Sequence, residues 1–217
     1  MISINNKKVY IIAEIGVNHN GSLKRAKDMI RHSKLSGVDA VKFQTFKAEN
    51  IVDIKVSKAD YQKSDNINES QYEMLKKYEL SDNDFFELYR YSKKLGIDFI
   101  STAADQEALN FLHRKLNLKT IKIGSSDLSN IQLLIHAGRT KKNIIISCGL
   151  STLNQIDIAL SALSHGYINK GFKFDYKKDN KLYLKQNDYI SKKVTLLHCT
   201  TEYPAPMNEL NLNVINT

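Results

Sequence analysis

Short apolar runs rich in β-branched residues recur along the chain, and stretches with helical spacing separate them. Val9–Ile15 (VYIIAEI) reads as a first strand. Ser22 is placed to cap a helix running to about Leu35, and Gly37 is placed to end it. Asp39–Thr45 (DAVKFQT) reads as the second strand. A long polar stretch from Phe46 to Leu80 follows, with one helical pattern at Glu69–Tyr78. Ser81 caps a helix over Asp82–Leu95, which Gly96 stops, and Ile97–Ser101 is the third strand. The rhythm continues with a helix at Asp105–Leu116, a strand at Thr120–Gly124 and a short helix at Ile131–Ala137. It closes with a strand at Asn143–Cys148, a helix at Thr152–Ser164 and a sixth strand at Val194–Cys199.

Near-continuous apolar strands alternating with helices predict a parallel sheet covered on both faces. An open doubly wound sheet and a (β/α)8 TIM-type barrel both fit that rhythm. The first strand lacks the GxGxxG turn of a dinucleotide fold. Polar residues end nearly every strand instead, which favours the barrel. A closed barrel needs eight strands, and six apolar runs are countable. The expectation is therefore an α/β chain with residues 1–217 forming an incomplete, truncated barrel domain. One segment breaks the rhythm. GFKFDYKKDNKLYLKQ alternates aromatic and polar residues around a KKDN turn, which predicts a β-hairpin inserted within 166–192. It is expected on the N-terminal face of the barrel, away from the chemistry, with a structural or interaction role.

Composition narrows the class. The 217 residues are 42% hydrophobic and 25% charged, as in an ordinary soluble domain. No run is long and apolar enough to span a bilayer, and the N-terminal segment carries a glutamate within a short apolar stretch. The expectation is a cytoplasmic protein with no membrane association. Cys148 and Cys199 fall in no metal-ligand or redox spacing and read as small buried residues at strand ends. The net charge of +9 comes from scattered lysines, with much of the excess in 170–193, and no nucleic-acid motif accompanies it. That points away from nucleic acid and is compatible with an anionic small substrate.

The candidate chemistry lies where strands end. Side chains at i and i+2 of a strand share a face. Lys42 and Gln44 therefore point one way and Val41 and Phe43 the other. A lysine within an apolar strand is costly unless it is paired or faces a polar cavity. Strand one contributes Glu14, with Asn18, His19 and Asn20 just beyond it. Strand three ends in Ser101 and Thr102. Strand four carries Lys122, then Gly124, Ser125 and Ser126. Ser147 closes strand five, and His198, Thr200, Thr201 and Tyr203 follow strand six. In a barrel these ends converge on one mouth. Two lysines among several hydroxyls make an anion site suited to phosphate or carboxylate. Glu14 beside them can position a hydroxyl or transfer a proton. Taken singly, each Ser or Thr also reads as a strand-end cap, His198 as a packed core histidine and His19 as a loop-shaping residue.

The segments IIAEIGVNHNG, DAVKFQTFKAENIV, IKIGSSDL, IIISCGLST and LLHCTTEYPAP, in that order, resemble the sialic-acid synthase family, which includes the N-acetylneuraminate and legionaminate synthases. The resemblance runs along essentially the whole chain. It departs from the family at the 166–192 insertion and at STAAD (101–105), where STPFD is more familiar. It implies condensation of phosphoenolpyruvate with N-acetylmannosamine or a related 2-acetamido sugar, giving a nonulosonic acid and phosphate. It further implies that Lys42, Thr102, Lys122, Ser125, Ser147 and Thr201 hold phosphoenolpyruvate, and that Gln44 and Tyr203 contact the sugar. Glu14 is implied to orient a sugar hydroxyl or the attacking water.

Members of the family use a divalent metal, manganese or magnesium, and act as homodimers with a C-terminal antifreeze-like domain. The family's metal-binding histidines follow strand six, one in a GxSDHT-like segment. None of the six histidines here falls on those positions, so no metal ligand is assigned. FQTFKAEN and KADYQK stand closer to the legionaminate and bacterial neuraminate branches than to the pseudaminate branch. Two other readings remain open at this point. One is a non-catalytic remnant or interaction module. The other is a barrel aldolase forming a Schiff base through Lys42 or Lys122.

Overall fold

The computed structural model describes residues 9–56, 69–169, 171, 173–201 and 204–216. Six parallel strands form one sheet in chain order: β1 (Ile12–Gly16), β2 (Ala40–Thr45), β3 (Asp98–Ala103), β4 (Thr120–Ile123), β5 (Asn143–Ser147) and β6 (Val194–Leu197). The sheet curls into an open half-barrel flanked by helices, as the strand–helix rhythm predicts. The helices are α1 (Leu23–Leu35), α2 (Ala48–Ile51), α3 (Gln71–Tyr78), α4 (Asp82–Leu95), α5 (Gln106–Asn110), α6 (Ile131–Arg139), α7 (Leu153–Tyr167) and α8 (Asn187–Lys193).

The predicted caps act locally. The hydroxyls of Ser22, Ser81 and Thr152 accept the amides of Arg25, Asp84 and Gln155, and so hold orphan helix-terminal donors. Gly96 ends α4 in the left-handed conformation, at φ 65°. Behind the sheet, Val41, Phe43, Ile121, Ile123, Ile144 and Ile146 join the helices in one large core. The helix layer is tightest between α6 and α7. A Cβ on Gly138 would stand 2.2 Å from the Leu163 carbonyl oxygen, and one on Gly166 only 2.1 Å from that of Ile135. Only glycine lets the two backbones approach this closely.

Three expectations are corrected. The first strand begins at Ile12, and Val9, Tyr10 and Ile11 are exposed ahead of it. Its partner β2 begins at Ala40, so residues before Ile11 have no strand to pair with. The helix at 105–116 is two pieces: α5 runs into a π turn at Phe111–Lys115.

The third correction is the insertion, which holds no strand among the described residues of 166–192 and instead forms turns, a 3-10 turn at Leu182–Gln186 and α8. The reason lies in its aspartates. Asp175 accepts the amides of Lys177 and Lys178, and Asp179 accepts the amide of Asp175, which closes local turns in place of a cross-strand ladder. Its aromatic residues pack on α7. Phe174 meets His165 edge-on, and the Tyr183 hydroxyl donates to Asp157 at 2.6 Å. The segment therefore runs along α7, on the helix side of the sheet.

Candidate active site at the strand ends

At the C-terminal ends of the strands a cavity of about 1200 Å³ opens on the inner face of the sheet. Glu14, Lys42, Gln44, Thr102, Lys122, Ser125 and Ser147 all line it, from five successive strands or their following loops. Register explains the convergence. Glu14 stands opposite Lys42, Gln44 opposite Thr102, and Thr102 opposite Lys122. Beside this set, among the described residues, the inner face carries a small apolar cluster, Ala40, Ile100 and Ile145, with Ile12 and Leu197 against it. In β2, β3 and β5 the residue two places after the cluster member is Lys42, Thr102 or Ser147. The pleat thus turns each strand from apolar to polar on the same face.

Glu14 and Lys42 form an ion pair across adjacent strands. The backbone of β1 shapes that pair. Its register shifts between Glu14 and Gly16, and Gly16 sits at φ +54°. A Cβ there would lie 3.1 Å from Glu14 Oε1 and 3.5 Å from Gln44 Nε2, so glycine leaves room for the carboxylate beside the amide. Lys122 is the most confined charge in the cavity. It is 5% exposed, and its Nζ donates to the Ile123 carbonyl at 2.8 Å. Burial, and then the Lys42 ammonium, push its pKa down to about 8.

Other predicted residues fall elsewhere. Ser101 faces the helix layer, where its hydroxyl pairs with that of Thr45 at 2.7 Å. Thr201 is exposed beside Gly149 and is not part of the cavity lining. Tyr203 lies outside the described residues. His19 shapes its loop, since Nδ1 accepts the Gly21 amide at 3.1 Å and the ring stacks on Phe43. His198, by contrast, lines the cavity, and its Nε2 lies 2.6 Å from the Leu210 carbonyl oxygen.

Asp127 also lines the cavity, and strand periodicity does not point to it. It follows Ser125 and Ser126 in a 3-10 turn, so the only signal for it was its place within IKIGSSDL. Burial raises its pKa, against the pull of hydrogen bonds from Ser126 and Asn130. Asn50 and Gln71 also reach the cavity, from the long polar stretch after β2.

The chemistry of this set is that of an anion site. Two ammonium groups and four hydroxyls, from Thr102, Ser125, Ser126 and Ser147, surround one space, with the carboxylates of Glu14, Asp105 and Asp127 in its wall. It is a poor fit for a resident divalent metal. Among the described residues no three His, Cys, Asp or Glu side chains group as a metal site. Glu14 is engaged by Lys42 and His198 by a carbonyl. No helix among the described residues is long and apolar enough to cross a membrane.

Residues 29–217 match the NeuB family. The chain is 42% identical over 212 residues to the N,N'-diacetyllegionaminic acid synthase of Campylobacter jejuni, covering 97% of this chain and 57% of that protein. It is 40% identical over 209 residues to the synthase of the same name from Legionella pneumophila, covering 96% and 53%. Among solved structures it is similar to the N-acetylneuraminic acid (sialic acid) synthetase of Leptospira borgpetersenii in complex with citrate. The TM-score is 0.72 and the identity 28%, over 97% of this chain and 61% of that one. The chain spans about half the length of the curated relatives it matches.

Proposed function

The chain belongs to the NeuB family, and on that premise we propose that its cavity is the phosphoenolpyruvate side of a nonulosonic-acid synthase site. The observation that carries this reading is the meeting of Lys42 and Lys122, among Thr102, Ser125 and Ser147, in one cavity at the strand ends. Phosphoenolpyruvate presents a phosphate and a carboxylate, which two fixed ammonium groups and converging hydroxyls suit. Lys42 and Lys122 neutralise those anionic groups, and Thr102, Ser125 and Ser147 orient them. Gln44 contacts the sugar, and Glu14 orients a sugar hydroxyl or the attacking water.

In the reaction, C3 of the enol attacks the aldehyde carbon of the open-chain sugar, and the enol electron pair becomes the new carbon–carbon bond. The aldehyde oxygen takes a proton. C2, left electron-poor, accepts the oxygen of water. The C2–O bond to phosphate breaks, and phosphate leaves with the pair. The sum is sugar, phosphoenolpyruvate and water giving a nonulosonic acid and phosphate. The residues here contribute position and charge, because their ammonium groups are set before the charge develops. The relatives from Campylobacter jejuni and Legionella pneumophila, at 42% and 40% identity, favour a product of the N,N'-diacetyllegionaminic acid kind, made from a 2,4-diacetamido sugar.

Calorimetric titration of the 217-residue protein with phosphoenolpyruvate tests the reading. Binding is expected in the unsubstituted protein and is expected to vanish in Lys122→Met. Equal binding by the two proteins removes Lys122, and with it the proposed site.

A further inference from the structure

A second cavity, of about 280 Å³, opens on the helix side of the sheet between α4 and α5. Its floor is aromatic. Phe46, Phe85 and Phe111 line it and are at most 6% exposed, and the rings of Phe85 and Phe111 meet edge-on with centroids 5.9 Å apart. Charged groups ring the opening, and most are already engaged. Lys115 pairs with Asp82 at 3.1 Å. Asp105 and Glu107 both accept from the Asn50 amide, and the second Asp105 oxygen caps α5 through the Ala108 amide at 2.7 Å. Arg114 and Lys47 differ. Neither forms an ion pair within 4.0 Å among the described residues.

The wall carrying Arg114 is the π turn at Phe111–Lys115. Such turns are rare, because the wider ring weakens helix geometry, and they concentrate at functional sites. This one puts Phe111 on the floor and Arg114 and Lys115 on the rim of a single opening. The floor suits an apolar, flat body. Asp82, Asp105 and Glu107 balance the rim's formal charge, but Asp82 is paired with Lys115 and the other two accept from the Asn50 amide and the α5 N-terminus. That leaves Arg114 and Lys47 as the rim cations without an ion-pair partner among the described residues.

We propose that this cavity is a second ligand site, taking a small carboxylate with an aromatic body. The ring lies against the three phenylalanines, where edge and offset contacts with aromatic faces are favourable. The carboxylate meets the planar fork of Arg114, whose paired donors match its two oxygens. Lys47 adds charge on the same rim. Asp105 forms a wall common to this cavity and the strand-end cavity.

Fluorine NMR of 4-fluorophenylacetate titrated into the 217-residue protein tests the site, with 4-fluorobenzylamine as the probe of opposite charge. For a ligand of this size a dissociation constant of about millimolar is expected. Arg114 is exposed, so Arg114→Glu should leave the unfolding midpoint unchanged. The same change should weaken the carboxylate by about tenfold or more. Lys122→Met should leave probe binding as it is. The proposal is overturned by no binding at about 10 mM probe, by equal affinity in Arg114→Glu, or by benzylamine binding as well as the carboxylate. Loss of binding in Lys122→Met also overturns it, because the probe then sits in the strand-end cavity.

Discussion

On its outer face the sheet turns Val41, Phe43, Ile121, Ile123, Ile144 and Ile146 toward the helices, each at most 1% exposed. On its inner face the buried apolar side chains of the second cluster are Ala40, Ile100 and Ile145, and Lys42, Thr102, Lys122 and Ser147 occupy the rest of the way to the mouth. Residues adjacent in sequence thus belong to different environments. Phe43 stacks on Phe99 at 5.1 Å within the helix-side core, while its neighbours Lys42 and Gln44 line the cavity. The difference separates two kinds of work along one backbone. Burial on the outer face stabilises the fold, and the inner face gives up burial to gather charge.

Substitutions at neighbouring positions should break that separation if it is wrong. Phe43→Ala is expected to cost about 3–5 kcal/mol of unfolding free energy, since a fully buried ring leaves a cavity in the core. Gln44→Ala, one residue on and exposed, should change it by less than about 0.5 kcal/mol. Denaturant titration of the two variants checks both. Similar losses at the two positions would mean that the inner face also carries the fold.

Lys122 sharpens the comparison because its stability effect has the opposite sign. Its pKa falls from 10.5 to about 8 on folding. At neutral pH the folded state therefore bears a buried ammonium at a cost of up to about 3 kcal/mol. Lys122→Met should raise stability at pH 7 by up to that amount while abolishing phosphoenolpyruvate binding. The unfolded lysine holds its proton more tightly, so the penalty is full below pH 8 and shrinks as pH rises from about 8 toward 10.5. The stability gap between the two proteins should narrow over that window. A variant no more stable than the parent at pH 7 would show that burial of Lys122 is well compensated.

Binding should read the same group. The ammonium form is the one that holds phosphate, so phosphoenolpyruvate affinity should be flat in this respect below pH 8. Above it, affinity should fall by up to about tenfold per pH unit. Calorimetry in buffers of different protonation enthalpy should show proton uptake near pH 8. Affinity that stays level between pH 7.5 and about 9.5 would assign the proton-sensitive role to another group.

Much of this arrangement is legible in the sequence, for reasons that differ by element. The strands are readable because both sheet faces are apolar near their N-terminal ends, which leaves β-branched runs. Lys42 and Gln44 can be assigned to one face because the strand period of two is strict. Val9–Ile11 is apolar as well, yet pairing rather than hydropathy decides a strand, and β2 offers no partner there. The insertion alternates like a hairpin, but Asp175 and Asp179 close local turns and the aromatics face α7. Alternation cannot tell those outcomes apart. Asp127 eludes periodicity because it lies in a 3-10 turn, where position along the loop rather than strand phase decides what it faces. The π turn leaves no mark in residue type at all.

The smallest effect belongs to histidines, and it tests the outer layer. His113 and His136 sit where the π turn meets α6. Burial lowers both pKa values, helped at His113 by Lys142 and Arg114 and at His136 by Arg114 and Arg139. Burial also lowers His19, against a raising hydrogen bond at Gly16. In the unfolded chain these imidazoles take up protons near pH 6.5, whereas the folded protein resists until lower pH. Their contribution is therefore complete above pH 6.5 and is lost as pH falls below it. Partial exposure and solvent screening keep the loss at His113 and His136 under about 1 kcal/mol. Replacing both by Gln should flatten the stability profile between pH 6.5 and 5 by about that amount. The binding profile around pH 8 should not move, because neither residue faces the strand-end cavity. A shift of that binding profile would tie the two faces of the sheet together after all, through the helix layer that carries Arg114.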